Sequence, residues 1–383
     1  MSQTQWSVVL LGGRRSADGL FDFQRPVLLE PAVQHMLREI PPAWHCFYVH
    51  ARTECELSET SVLCEEQMDR LQRLQCAEIP ADSMVMLFDE PVPALTRTDY
   101  LRLAEEFSQT ASDVLTIRDQ NGVEVGVLCR ADRVSEQREH DASLTEAAVT
   151  SMQRAYEAQR SIQMRTAQRL MGQGVSILDP NSTWVAADAV IGAGTSLLPG
   201  TMVYPGCRIG SFCTIGPNTV LKRAEIGDRT EINASQVLES SVGSDSSVGP
   251  YAYIRPGCTV GDRTRIGDFV ELKNAVIGDD TKASHLTYVG DADVGANVNF
   301  GCGTVVVNYD GYEKYRTVIG DDCFIGCNTN LVAPVQLGDR VLTAAGSTVT
   351  EDVPDGAMAV ARARQINKSG WNDARIDAHR SDK

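Results

Sequence analysis

An aliphatic residue returns every six positions through most of the stretch from Ile191 to Thr350. Ile191, Leu197, Val203, Ile209, Ile215 and Leu221 make the first run. The frame resumes at Ile226 and Ile232, then at Val242, Val248, Ile254, Val260, Ile266 and Leu272, and again from Ile319 to Val349. Steps of six at about 100° per residue scatter these positions over three faces of a helix, which excludes an amphipathic helix. Four residues after the aliphatic comes a small one, as at Thr195, Cys213, Thr230, Cys258, Thr281, Cys323 and Thr329. Gly often follows the aliphatic directly (Gly192, Gly210, Gly216, Gly227, Gly243, Gly249, Gly267, Gly278, Gly295, Gly320, Gly326, Gly338), where a corner needing positive φ is expected. One large and one small inward residue per six suit a short strand followed by a tight corner. Three such units close a triangular coil of about 18 residues, and coils stack as parallel strands about 4.8 Å apart. The pattern predicts a parallel β-helix of roughly nine or ten coils over 175–371.

Breaks in the repeat mark places where the coil departs from this scheme. One residue is lost between Leu221 and Ile226, between Leu272 and Ile277, and between Val289 and Val294. A longer break from Val306 to Ile319 ejects a loop, Asn308-Tyr309-Asp310-Gly311-Tyr312-Glu313-Lys314. Insertions of this kind leave a solenoid at its corners and carry binding groups or are simply tolerated; polar residues and a basic tip favour the first. His285 is the only histidine inside the repeat, and it is read as either a catalytic base or an ordinary surface histidine. Arg255, Lys273 and Lys314 fall on neighbouring coils or on the loop, a set suited to a phosphate or to a solvated charged face.

Residues 1–140 show short apolar runs between helical stretches, the pattern of a small α/β domain. Strands are expected at Ser7 to Leu11, Cys46 to Val49 and Met84 to Phe88, with a hairpin of Asp113 to Ile117 and Glu124 to Cys129 around Asn121-Gly122. Leu11-Gly12-Gly13-Arg14-Arg15-Ser16 follows the first strand, the place of a phosphate-cradling loop or of a plain strand-exit turn. A helix is expected from Ser143 to Gly174, with Ser143 and Glu146 as a capping box, forming a linker over 141–174. The charged tail at 372–383 is expected to be disordered.

The net charge of −16 and pI near 4.8 argue against nucleic acid or an anionic membrane as partner. No segment reaches the ~18 apolar residues needed to span a bilayer. The apolar start, Ser7 to Gly13, lacks a basic flank and reads as a strand rather than a signal peptide. Eleven cysteines without CxxC or zinc spacing point to a reducing compartment.

Several segments of the solenoid carry a resemblance: Tyr253-Ile254-Arg255-Pro256-Gly257, Phe269-Val270-Glu271-Leu272-Lys273, His285-Leu286-Thr287-Tyr288-Val289-Gly290-Asp291-Ala292, Asn297-Val298-Asn299 and Asn308-Tyr309-Asp310-Gly311. With the linker end Arg169-Leu170-Met171-Gly172-Gln173-Gly174, they make residues 152–371 resemble one half of a bifunctional bacterial enzyme. That enzyme is glucosamine-1-phosphate N-acetyltransferase and N-acetylglucosamine-1-phosphate uridyltransferase, and its acetyltransferase half is the part matched.

The resemblance implies a left-handed β-helix and a cytoplasmic enzyme that moves acetyl from acetyl-CoA to the amine of glucosamine-1-phosphate. It makes His285 the general base, oriented by Glu271. It puts the sugar phosphate on Arg255, Lys273, Tyr288 and Lys314, and the sugar on Asn299 and Asn308. It implies homotrimers whose sites are shared between subunits, with acetyl-CoA at Cys302, Tyr309, Cys327, Ala345 and Arg362. Cys302 stands where the family has Ala and Cys327 where it has Ser. The amino-terminal half departs further, toward a reduced, Rossmann-like nucleotidyltransferase domain. Arg15-Ser16-Ala17 and Pro26-Val27 replace the family's Gly-Thr-Arg and Pro-Lys, and Phe88-Asp89-Glu90-Pro91 replaces its metal-carboxylate motif. Loss of uridylyl transfer is expected; if it survives, Asp89 or Glu90 holds magnesium and UTP turnover releases pyrophosphate. A non-enzymatic sugar-nucleotide-binding solenoid is the other alternative, and a hexapeptide carbonic anhydrase is excluded because three zinc-binding histidines are needed.

Overall fold

The computed structural model describes residues 6–11, 26–27, 30–50, 61–63, 72, 74, 77–79, 83–110, 112–134, 140–144, 148–149 and 151–381. The Gly12-Gly13-Arg14-Arg15-Ser16 stretch and Glu146 lie outside them. Contacts divide the chain into two units, Met1–Ala224 and Glu225–Lys383.

In the first unit a seven-stranded mixed sheet runs in the order Ser61–Leu63, His45–His50, Trp6–Leu11, Met84–Phe88, Glu124–Arg130, Val114–Arg118, His140–Ser143. The first four strands are parallel. The expected hairpin supplies the antiparallel part, and its Asn121-Gly122 turn is closed by Asp119, which accepts the amides of Asn121 and Val123 at 2.8 Å each. Helix α1 (Ala32–Glu39) and helix α2 (Arg97–Gln109, with a Thr96–Asp99 capping box) accompany the sheet. Val8, Leu10, Met36, Met86, Phe88, Tyr100 and Leu103 belong to one buried core.

Helix α3 spans Met152–Gly172 and is capped by Ser151, whose hydroxyl accepts the Arg154 amide. The expected cap at Ser143 is eight residues too early, because Ser143 ends a sheet strand that pairs with Arg118. Ala155, Ala158, Ile162, Ala167 and Leu170 form its buried face, and Gln163 Nε2 ties it to the Pro180 and Thr183 carbonyls at 2.6 and 2.8 Å.

The six-residue repeat is a parallel β-solenoid. In the first unit Ser196–Leu197 pairs with Thr214–Ile215 and Met202–Val203 with Val220–Leu221. In the second unit Ile254, Leu272, Val289, Val306, Leu331 and Val349 are buried and stack coil upon coil along one face. The small residues are interior as well, and their hydroxyls satisfy corner backbone: Thr281 Oγ1 donates to the Gly295 carbonyl at 2.9 Å and accepts the Val298 amide at 3.0 Å.

Gly216 and Gly249 have the positive φ expected of a corner, 107° and 103°, but most glycines that follow the aliphatic residue serve a different purpose. Gly278, Gly295 and Gly320 do not have positive φ. A Cβ on Gly278 would lie 2.5 Å from the Gly295 carbonyl carbon, and one on Gly295 would lie 2.8 Å from that of Gly320. Close approach of the next coil excludes a side chain there. The left-handed positions are taken by other glycines, such as Gly257 and Gly303, and by non-glycine residues, among them Arg263, Phe269, Asp280, Leu286 and Asn297. At the one-residue-short corners between Leu272 and Ile277 and between Val289 and Val294, Asn274 and Asp291 are left-handed, with φ of 46° and 47°. Both residue types tolerate this region.

The tail is not disordered: Trp371–Ser381 forms helix α4, with the Arg375 guanidinium 5.4 Å from the Trp371 ring centroid. No helix among the described residues is long and apolar enough to cross a membrane.

Candidate functional site

Every candidate site residue of the solenoid belongs to the second unit, and the register sorts most of them onto two corners of the same coils. The first corner begins with Asp268 and His285, which face each other on paired strands. His285 Nδ1 lies 2.6 Å from Asp268 Oδ1. That hydrogen bond holds the Asp268 carboxyl below the usual carboxylate range, so the carboxylate is ionised at neutral pH and can only accept. Nδ1 is therefore the donor, and Nε2 keeps the free lone pair. His285 is exposed.

The same corner continues upward. Lys282↔Asn299 and Ala283↔Phe300 are paired, as are Asn299↔Phe324 and Phe300↔Ile325, and then Phe324↔Leu342 and Ile325↔Thr343. Counting two residues on from each pair gives one column: His285, Cys302, Cys327, Ala345. Corner hydrogen bonds agree with it, the Asn328 amide donating to Cys302 and the Gly346 amide to Cys327 at 2.8 Å each. Arg362 lies against the upper end, its Cδ 3.7 Å from where a Gly346 Cβ would be. Asn299 sits on the adjoining face, stacked between Lys282 and Phe324.

The second corner gathers the cations around Asp291. Asn274 Nδ2 donates to Asp291 Oδ1 at 2.6 Å, Lys273 Nζ lies 3.4 Å from Oδ2, and buried Asn308 also donates to Oδ2. Burial works to raise the Asp291 pKa, but the two amides and the ammonium outweigh it and the group is held low. A carboxyl with a lowered folded pKa contributes stability above its unfolded pKa and loses it as pH falls through the folded one. Asp291→Asn is therefore expected to lower the melting temperature at neutral pH and to narrow the gap from wild type as the pH drops below about 4. Thermal melts from neutral to acid pH check this.

Lys314 is not the tip of the ejected loop, as the sequence suggested. It bridges to Tyr309 at the loop's neck, and the tip is Gly311-Tyr312, Tyr312 being 93% exposed. Asp310 turns the tip by accepting the amides of Tyr312 and Glu313 at 2.8 and 2.7 Å. This fold-back brings Lys314 to Lys273. Lys314 is pulled below the usual lysine range by its hydrogen-bonding contact with Lys273 and by that neighbour's charge, with Arg255 adding to the effect. Lys273 is pushed up by the contact with Lys314 and by Asp291. Lys314 thus senses both Lys273 and Arg255, whose carboxylate partners Asp291 and Glu271 are already engaged, an arrangement that an added anion relieves.

Glu271 does not orient the imidazole. Its carboxylate receives Arg255 Nη1 at 2.9 Å, while the residue bonded to His285 is Asp268. The strand register explains the difference. Glu271 pairs with Tyr288 on the next coil, whereas Asp268 pairs directly with His285.

Between the two corners lies one short face, Glu271-Leu272-Lys273 below Tyr288-Val289-Gly290, bounded by the left-handed residues Leu286 and Asp291. Three residues of strand give it a width of roughly 10 Å. Tyr288 lies along this face: a Cβ on Gly290 would sit 2.4 Å from its hydroxyl and 2.9 Å from Asn308 Nδ2. Gly290→Ala is expected to displace the Tyr288 hydroxyl and raise KM for a substrate on this face about 3- to 10-fold at unchanged kcat, the worth of one neutral hydrogen bond. Steady-state kinetics of the variant check it.

Tyr309 is not part of the Cys302 column. It sits on the loop at the other corner, its hydroxyl donating to the Gly311 carbonyl at 2.6 Å. In the first unit Asp89 is buried, its amide donating to the Val125 carbonyl at 2.9 Å. Among the described residues neither Asp89 nor Glu90 belongs to a group of three or more His, Cys, Asp or Glu suited to a metal, and no magnesium chemistry is assigned to them.

Comparison with known proteins agrees with this half of the chain. The bacterial transferase hexapeptide (six repeats) model matches residues 188–223, 239–274 and 316–351. The bifunctional protein GlmU of Acetivibrio thermocellus is 54% identical over 215 residues, 56% of this chain and 47% of that protein. GlmU of Clostridium botulinum is 48% identical over 225 residues, 59% of this chain and 49% of the relative. Over 56–59% of its length the chain is similar to GlmU. The chain spans about half the length of these relatives. Among solved structures it is similar to LpxA, a UDP-N-acetylglucosamine acyltransferase from Bacteroides fragilis, at 15% identity and TM-score 0.25, over 47% of this chain and 69% of that one.

Proposed function

We propose that this chain is an N-acetyltransferase that moves the acetyl group of acetyl-CoA to the amine of glucosamine-1-phosphate, in the supply of UDP-N-acetylglucosamine. What carries the reading is one imidazole–carboxylate pair and one three-cation cluster at opposite ends of a face roughly 10 Å wide. The phosphate binds Lys273, Lys314 and Arg255, and the ring lies along Tyr288 with Asn308 beneath. The amine is thereby directed toward His285. Nε2 takes its proton as nitrogen attacks the thioester carbon, the carbon–sulfur bond then breaks and the coenzyme A thiolate leaves with that proton, and Asp268 holds the imidazole in the tautomer that leaves Nε2 free. No acyl-enzyme forms, because the amine is itself the nucleophile and needs only a base.

Acetyl-CoA lies along the column above the imidazole, by Cys302, Cys327 and Ala345, with Arg362 at its upper end. Asn299, beside this corner, contacts the sugar. Tyr309 stands at a different corner of its own chain, which favours a homotrimer in which one subunit's loop completes the donor site of the next. The domains run 1–150, a linker helix with its cap over 151–174, and 175–371, and the first is a reduced nucleotidyltransferase-like domain without uridylyl transfer. The test is incubation with acetyl-CoA and glucosamine-1-phosphate, followed by thiol release and product mass. Equal yields of free CoA and N-acetylated sugar phosphate are expected, and no thiol release above the hydrolytic background overturns the proposal.

A further inference from the structure

Cys302 and Cys327 occupy the same corner position on successive coils. The strands leading into them are paired residue for residue. The Gly301 amide donates to the Ile325 carbonyl at 2.7 Å and the Asn328 amide to the Cys302 carbonyl at 2.8 Å. Each cysteine precedes a left-handed residue, Gly303 with φ of 77° and Asn328 with φ of 53°. Identical corner geometry sends both Cα–Cβ bonds the same way, one layer apart. That layer spacing is about 4.8 Å, inside the roughly 4.4–6.8 Å between Cα atoms that a disulfide spans but a few tenths of an ångström beyond its roughly 3.5–4.5 Å between Cβ atoms, so closure draws the two corners slightly together. Both are free thiols, Cys302 half-buried and Cys327 exposed, while Cys207, Cys213, Cys258 and Cys323 are buried. Burial pushes the thiols of Cys207, Cys258 and Cys323 up, which makes those three poorer nucleophiles.

We propose that Cys302 and Cys327 form a reactive dithiol site for low-molecular-weight disulfides, including that of the carrier thiol which acyl transfer releases. Its effect on catalysis rests on the acetyltransferase reading, since the pair sits in the column directly above His285. The exposed Cys327 thiolate attacks one sulfur of the disulfide. The sulfur–sulfur bond breaks, one carrier thiolate leaves and takes up the proton that Cys327 gave, and a mixed disulfide remains on Cys327. The Cys302 thiolate then attacks Cys327 Sγ, and the second carrier thiolate leaves with the remaining proton. Two protein thiols are oxidised by two electrons, and one external disulfide is reduced to two thiols. The bond that forms encloses the whole ejected loop from Asn308 to Arg316, and it fills the donor path beside the imidazole at its first step.

The experiment treats the full chain with coenzyme A disulfide, quenches with N-ethylmaleimide, maps the cysteine peptides and assays acetyl transfer in parallel. A Cys302–Cys327 linked peptide is expected, with two carrier thiols released per link. Transfer should fall in proportion to the linked fraction and return with dithiothreitol. Cys302→Ala is expected to stop at the mixed disulfide on Cys327, and Cys327→Ser to form neither product. Absence of the linked peptide from treated wild type overturns the site. Equal loss of transfer in treated Cys302→Ala/Cys327→Ser protein overturns its role in inhibition. Reduced protein that never transfers acetyl but does form the link contradicts the acetyltransferase reading and leaves the dithiol site standing.

Discussion

His285→Ala is expected to lower kcat for acetyl transfer by about 10²- to 10⁴-fold while leaving KM for the sugar phosphate nearly unchanged. That loss is about 3–5 kcal/mol of transition-state stabilisation. The side chain is exposed, at a corner where the backbone hydrogen bonds are made by its neighbours, so the fold tolerates its removal. Asp268→Asn is the informative companion. An amide in place of the carboxylate can offer N–H to Nδ1, which then becomes the acceptor and leaves Nε2 carrying the proton. The base then presents the wrong nitrogen, and kcat falls although His285 is intact. Melting temperature and steady-state kinetics measured together separate this from damage to the corner.

The second large effect is at the other end of the face. Lys273→Ala or Arg255→Ala removes a charged donor from the phosphate, worth about 1.5–3 kcal/mol and therefore roughly a 10- to 150-fold fall in kcat/KM, carried by KM. The two changes also act differently on their surroundings. Loss of Arg255 releases the Glu271 carboxylate, whereas loss of Lys273 leaves Asp291 held by two amides and leaves Lys314 without the neighbour that depresses it. With an aminosugar that lacks phosphate, wild type and both variants should converge, and kinetics with the two acceptors side by side check it.

The solenoid was legible in the sequence because its core repeats by residue type: Ile254, Leu272, Val289 and Val306 announce a face, and Thr264 and Thr281 announce the interior of a corner. The breaks in period marked the candidate site. The one-residue-short corners hold Asn274 and Asp291, and the long break brings Lys314 back to Lys273. Asp268 was missed because shortened coils move its partner to 17 residues away; the register is the signal that finds it. Glu271 was chosen on resemblance, and a salt bridge to Arg255 engages it. Glycines such as Gly278 were misread because spacing alone does not distinguish a left-handed corner, as at Gly216 and Gly249, from a place where the next coil comes within 2.5 Å. The start of helix α3 was misplaced because Ser143 and Ser151 both look like caps, and only strand pairing assigns Ser143 to the sheet.

The most direct test is a comparison of acetyl transfer to glucosamine-1-phosphate and to unphosphorylated glucosamine by the wild-type chain, with thiol release as the readout. If the face between His285 and the Arg255–Lys273–Lys314 cluster holds one sugar phosphate, the phosphorylated acceptor is favoured in kcat/KM by at least about 100-fold, the worth of two charge-assisted hydrogen bonds. Equal use of the two acceptors, or of neither, contradicts it.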